Sequence, residues 1–87
     1  MFYFYILYSA ILDKFYIGMT SDSIDERLRR HNTNHKGFTG KASDWEIAYT
    51  ELYQSKSEAY SRERLVKSWK SRKRIEALIR GAKFSGS

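Results

Sequence analysis

Phe2-Tyr3-Phe4-Tyr5-Ile6-Leu7-Tyr8, followed after Ala10-Ile11-Leu12-Asp13-Lys14 by Phe15-Tyr16-Ile17-Gly18-Met19-Thr20, is the stretch that decides the fold. Aromatic and β-branched runs of this length are strand signals, so the two segments predict a β-hairpin with strands over Phe2–Ser9 and Phe15–Thr20. Side chains alternate faces along a strand, and opposed residues of an antiparallel pair share a face. A register that opposes Leu7 to Tyr16 also opposes Tyr5 to Gly18. It makes Tyr5 and Tyr16 diagonal neighbours on one face, roughly 7–8 Å apart. Gly18, lacking a side chain, would leave open space beside Tyr5. Two phenols flanking a gap on an exposed sheet face are either one wall of a site or plain core. The hairpin alone does not choose between them.

Working outward, Ser23-Ile24-Asp25-Glu26 has the capping-box pattern, with serine at the N-cap and glutamate three positions on. The helix it opens pairs Ile24 with Leu28 and should fade near Asn32–Asn34. Thr33 to Asp44 is polar, contains Gly37 and Gly40, and is expected to be a mobile loop. Trp45–Tyr53 returns to strand composition, with Trp45, Ile47 and Tyr49 alternating against Glu46, Ala48 and Thr50. Ser55-Lys56-Ser57-Glu58 repeats the capping box, and its helix carries Ala59, Leu65, Val66 and Trp69 on one side. Ser71 caps a last helix with the stripe Ile75, Leu78, Ile79, for which Gly81 is the expected stop. The order β-β-α-β-α-α predicts an α+β (broadly α/β) domain over residues 1–81. Its core is a three-stranded, mainly antiparallel sheet flanked by helices. Residues 82–87 read as a flexible C-terminal tail.

The 87 residues suit one core and not two. Cysteine is absent, which excludes a thiolate metal site, a catalytic thiol and a disulfide framework, and implies an intracellular, cytoplasmic protein. The N-terminal apolar run breaks at Asp13-Lys14, too short for a bilayer span of about 20 residues. It also lacks the basic start of a signal peptide, so no membrane partner is expected. Lys and Arg number 16 against 10 Asp and Glu, a net charge of +6. That balance favours a polyanionic partner, most simply nucleic acid. Lys67, Lys70, Arg72, Lys73 and Arg74 crowd into one short segment, denser than solubility requires.

Three further residues stand out by position. On a helical wheel with Ile24 at zero, Leu28 falls at about +40°, His31 at about −20° and Arg27 at about −60°. Arg27 and His31 therefore border the buried stripe and lean toward the sheet. Glu63 lies at the margin of the next helix's stripe, four residues before Lys67. It is either half of a surface Glu–Lys pair or a lone carboxylate for a hard cation, which takes oxygen ligands. Arg62 projects near the middle of the same stripe, where it either snorkels or reaches the site.

Taken together these residues resemble a GIY-YIG nuclease domain, of the small single-domain kind related to the N-terminal nuclease of the excision-repair endonuclease. Tyr16-Ile17-Gly18 matches the second motif in full. Tyr3-Phe4-Tyr5 stands where the first belongs, keeping its final tyrosine while Tyr3 and Phe4 replace glycine and isoleucine. Arg27-Leu28 and His31 occupy the family's helix positions. Glu63, within Ser61-Arg62-Glu63-Arg64-Leu65-Val66-Lys67, fits its metal-binding glutamate. The likeness runs over about residues 2–80, and its weight lies in the order and spacing of the motifs.

The resemblance implies a metal-dependent endonuclease that hydrolyses phosphodiester bonds in DNA, structure-selectively and in a DNA-repair setting. Glu63 would hold Mg²⁺ or Mn²⁺, Tyr5 would help deprotonate the attacking water with Tyr16 positioning it, and Arg27 would neutralise phosphate charge. His31 would orient Tyr16 or relay a proton. A free tyrosine has a pKa near 10, so about one in a thousand is phenolate at pH 7. Arg27 and the metal must lower that value for Tyr5 to act as a base. Lys36, Lys41, Lys67, Lys70, Arg72, Lys73 and Arg74 would contact phosphates. Two rivals explain the same composition: a non-catalytic nucleic-acid-binding module with this fold, and a basic protein-interaction domain in which Tyr5 and Tyr16 only pack.

Overall fold

The structure, a computed structural model, describes residues 1–33 and 41–84, the last three by backbone alone. The elements follow the predicted order: β1 (Phe2–Ser9), β2 (Lys14–Thr20), α1 (Ile24–Thr33), β3 (Glu46–Tyr53), α2 (Lys56–Trp69) and α3 (Arg72–Phe84). The sheet runs β2-β1-β3 with both pairs antiparallel. The hairpin register is the predicted one, Leu7 opposite Tyr16 and Tyr5 opposite Gly18.

Because β1 is the central strand, both its faces are covered. Phe4, Tyr5, Ile6 and Leu7 are all buried, which is why the segment reads as an unbroken apolar run rather than an alternation. Phe4 and Ile6 pack with Val66 and Trp69 of α2 and with Ile75, Leu78 and Ile79 of α3. Tyr5 and Leu7 pack on the opposite face with Trp45, Tyr16, and Ile24 and Leu28 of α1. The result is three layers, with α1 below the sheet and α2 and α3 above it. Tyr3, where the first motif's glycine belongs, sits in regular β pairing with both Thr20 and Leu52.

The serine caps form as expected. Ser23 accepts from the Glu26 amide at 3.1 Å, Ser55 from Glu58 at 3.2 Å and Ser71 from Arg74 at 3.3 Å. Each satisfies one of the orphan donors that a helix start leaves.

Three readings change. First, the alternation assigned to Trp45, Ile47 and Tyr49 fails. The β1–β3 register slips between Ile6 and Leu7, so that Ile6 opposes Tyr49 while Leu7 opposes Ile47. The extra residue reverses the facing of the positions beyond it. Trp45 joins the Tyr5 side, and Tyr49 meets Phe4 on the other at 6.3 Å. Second, β3 begins at Glu46, because the backbone of Trp45 is bonded to a side chain instead. Third, α3 passes through Gly81 to Phe84. Glycine costs an exposed helix interior only about 1 kcal/mol, too little to force a stop. Residues 34–40 of the predicted loop and 85–87 of the tail lie outside the described residues. No described helix is long and apolar enough to cross a membrane.

Candidate active site

The hairpin brings the two tyrosines together as the register requires, with ring centroids 6.5 Å apart. The space over Gly18 is not open, however. A Cβ there would lie 2.6 Å from the Tyr5 hydroxyl oxygen and 2.7 Å from Cζ. The phenol of Tyr5 itself lies across the glycine, and any side chain at 18 would evict it. Tyr5 is consequently only 2% exposed, not a phenol on an open face, whereas Tyr16 is half-buried.

His31, from the last turn of α1, points onto this pair. Its Nε2 is hydrogen-bonded to the Tyr5 hydroxyl at 3.0 Å, and its ring centroid stands 4.8 Å from that of Tyr16. The polar partner is thus Tyr5, with Tyr16 in ring contact. Burial lowers the His31 pKa, and the Arg27 charge lowers it further, so the imidazole is neutral at pH 7. Burial likewise raises Tyr5 above the ordinary tyrosine value. Arg27 pulls the other way, but the charges of Tyr16 and Glu63 add to the rise. The sequence expectation that Arg27 lowers this phenol is therefore corrected: desolvation wins.

Arg27 lies one turn before His31. The Tyr5 hydroxyl raises its pKa, and its Nε is buried without a hydrogen-bond partner. A buried donor left without an acceptor costs about 1–3 kcal/mol. Arg27 enters no ion pair among the described residues.

Glu63 projects from α2 with its side chain 15% exposed, paired to Lys67 Nζ at 3.2 Å. The expected helix-surface pair is present, and the carboxylate is also close enough to act on Tyr5 through its charge. Among the described residues no cluster of three or more His, Asp or Glu side chains could cage an ion.

Asn32 was invisible from sequence. Its side-chain amide donates from Nδ2 to the Trp45 carbonyl at 3.1 Å and accepts the Trp45 amide at Oδ1 at 2.8 Å. It imitates a neighbouring strand and pins the end of α1 to the sheet, one residue from His31. Ser9 and Asp44 make a second pin. The Asp44 carboxylate accepts from the buried Ser9 hydroxyl at 2.5 Å and from the Ile11 amide at 2.9 Å. An asparagine where a helix fades reads as an ordinary terminus, so no local signal marks either role.

Arg62 does not reach the site. It forks onto Glu51 of β3, Nε and one terminal nitrogen each at 3.0 Å, and the same carboxylate accepts from Tyr49 and Tyr53. Burial and Glu51 push both tyrosines up to about 12. Burial alone would raise Glu51, but its hydrogen bonds to Arg62, Tyr49 and Tyr53 outweigh it and hold the carboxyl below its usual range.

The basic cluster gathers where α2 turns into α3. Lys70 and Lys73 are exposed, Arg74 stacks 4.6 Å over Trp69, and Lys67 faces Glu63. Arg72 is tied to Asp13 at 2.6 Å and Glu76 at 3.0 Å, which leaves its guanidinium occupied within the chain. Lys41 is exposed; Lys36 lies outside the described residues.

No significant match was found among curated proteins or solved structures. Nucleases of the family whose model does match generally use divalent metals. That model describes the GIY-YIG catalytic domain and covers residues 1–76, the span that holds Tyr5, Tyr16, Arg27, His31 and Glu63. The chain belongs to the GIY-YIG family of nuclease domains.

Proposed function

We propose that the chain is a metal-dependent endonuclease hydrolysing phosphodiester bonds in DNA, structure-selectively, and that it is akin to the N-terminal nuclease of the excision-repair endonuclease. The observation that carries this reading is Arg27. It is a fixed guanidinium with a buried, unpartnered Nε, set against a tyrosine whose hydroxyl is bonded to a neutral histidine. A cation held in place without an anion of its own is complementary to phosphate, whose oxygens suit the guanidinium fork.

Glu63 fits a divalent ion. Mg²⁺ commonly takes one or two carboxylates, with substrate phosphate and water completing its shell. A lone half-buried carboxylate therefore suits an ion shared with substrate better than one caged by protein. Bound there, Mg²⁺ or Mn²⁺ would polarise the phosphoryl oxygen and stabilise the leaving oxygen. Lys67 holds the carboxylate in the meantime.

The chain's own groups do the rest. Arg27 neutralises charge developing on the phosphate. The Tyr5 hydroxyl takes a proton from the attacking water as it passes its own to His31 Nε2. A neutral imidazole is a ready acceptor, and this relay needs no free phenolate, which the upward shift of Tyr5 makes scarcer still. Tyr16, packed against the imidazole ring, holds His31 in line.

The test is a panel of duplex, single-stranded, flap and branched DNA, with RNA alongside, incubated with Mg²⁺ or Mn²⁺. Glu63→Ala should abolish divalent-dependent cleavage while binding survives. Cleavage retained by that variant overturns the metal role, and binding without cleavage by the unaltered protein selects the non-catalytic module.

A further inference from the structure

A cavity of about 290 Å³ opens on the far side of Arg27 from the bulk of the basic cluster, close to the ~300 Å³ at which small-ligand pockets begin. Phe2 and Met19 give it an apolar wall, Thr20 and Asp22 a polar one, and Lys56 and Arg27 supply two cations. Arg27 alone among these residues also touches the catalytic tyrosine. The cavity is therefore contiguous with the reacting centre.

The layout along β2 gives it a purpose. Arg72 reaches Asp13 at the start of the hairpin's second arm, and Gly18 lies under Tyr5 in the middle. The cavity opens beside Thr20 at the other end, about 20 Å from Lys14 by strand rise. A polymer bound at Tyr5 and Arg27 must leave in both directions. The basic cluster serves one of them and leaves the other to this cavity.

We infer that this cavity is a subsite for the nucleotide flanking the scissile phosphodiester, its phosphate held by Lys56 and Arg27 and its base or sugar laid against Phe2 and Met19. The inference rests on the nuclease reading of the Tyr5–Arg27 centre. With Asp22 counted against Lys56 and Arg27 the lining carries a net charge of +1, matched to one phosphate. Asp22 also faces Arg30 at 3.9 Å, which tempers its repulsion, and its carboxylate is an acceptor for base N–H or sugar hydroxyl groups.

The experiment titrates thymidine 5′-monophosphate into the ¹⁵N-labelled protein without divalent metal and follows the amide resonances. Shifts should concentrate at Phe2, Met19 to Asp22 and Lys56. Lys56→Ala, at an exposed position that leaves the fold intact, should weaken the apparent Kd roughly tenfold, the loss of one charge-assisted contact. In parallel, the affinity for a single-stranded oligonucleotide should show a salt slope shallower by about 0.7 in Lys56→Ala. Shifts confined to residues 67–74, or a Lys56→Ala variant indistinguishable in both measurements, overturn the subsite. Neither readout depends on cleavage, so a failed nuclease reading shows as clustered shifts in a protein that cuts nothing. A failed subsite shows as cutting without them.

Discussion

The two faces of this sheet carry nearly the same set of side chains and use them oppositely. Above it, Tyr49, Tyr53 and Arg62 converge on Glu51. Below it, Tyr5, Tyr16 and Arg27 converge with His31, and no carboxylate is ion-paired with the arginine among the described residues. In the upper cluster an internal anion satisfies the guanidinium at both nitrogens, and the assembly is closed. In the lower one a buried Nε is left unsatisfied. The difference teaches what separates a structural polar network from a site. The same residue types become available for an external phosphate where the chain withholds its own anion.

The comparison can be broken or sharpened in steps. The largest effect is expected above the sheet. Arg62→Ala strands Glu51 and should cost about 3 kcal/mol of unfolding free energy, the low end for a broken buried pair because the two side chains keep 24% and 17% exposure. Urea denaturation measures it; a loss below about 1 kcal/mol would mean that the upper cluster is not the closed network described.

Next in size is the pin beneath the lower face. Asn32→Ala removes both bonds to Trp45 and should cost about 2 kcal/mol. It should also slow cleavage, since His31 loses its anchor. A variant destabilised but cleaving at full rate would show that the pin serves folding alone.

The smallest effect is in pH. His31 has a folded pKa below its unfolded value near 6.5. Below that pH the unfolded chain binds a proton that the folded one refuses, so His31's share of stability is present above pH 6.5 and is lost as pH falls toward the folded value. The acid limb of kcat/KM should lie below 6.5 for the same reason, and His31→Gln should remove it. An acid limb above 6.5 would mean that His31 works as the imidazolium.

Much of this was legible in the residues. Hairpin, register, serine caps and element order rest on local rules, and the wheel placed Arg27 and His31 toward the sheet because three- and four-residue spacings fix a helix face. What escaped depended on partners remote in sequence. The slip opposite Ile6 and Leu7 needs a second strand to exist. Arg62 looked out of place in an apolar stripe because its carboxylate lies on β3. Asn32 imitates a strand that only the assembled sheet provides. The direction of the Tyr5 shift turned on burial, which motif spacing does not report.

The most direct test of the contrast is Arg27→Ala, with stability and cleavage measured on the same preparation. Cleavage should fall by about 10²–10³-fold, as for loss of a transition-state charge partner. Unfolding free energy should hold within about 1 kcal/mol, because no bond to the buried Nε is lost. A variant that cleaves normally, or one whose activity falls only because the fold has been lost, would contradict the claim that this arginine is kept for the substrate.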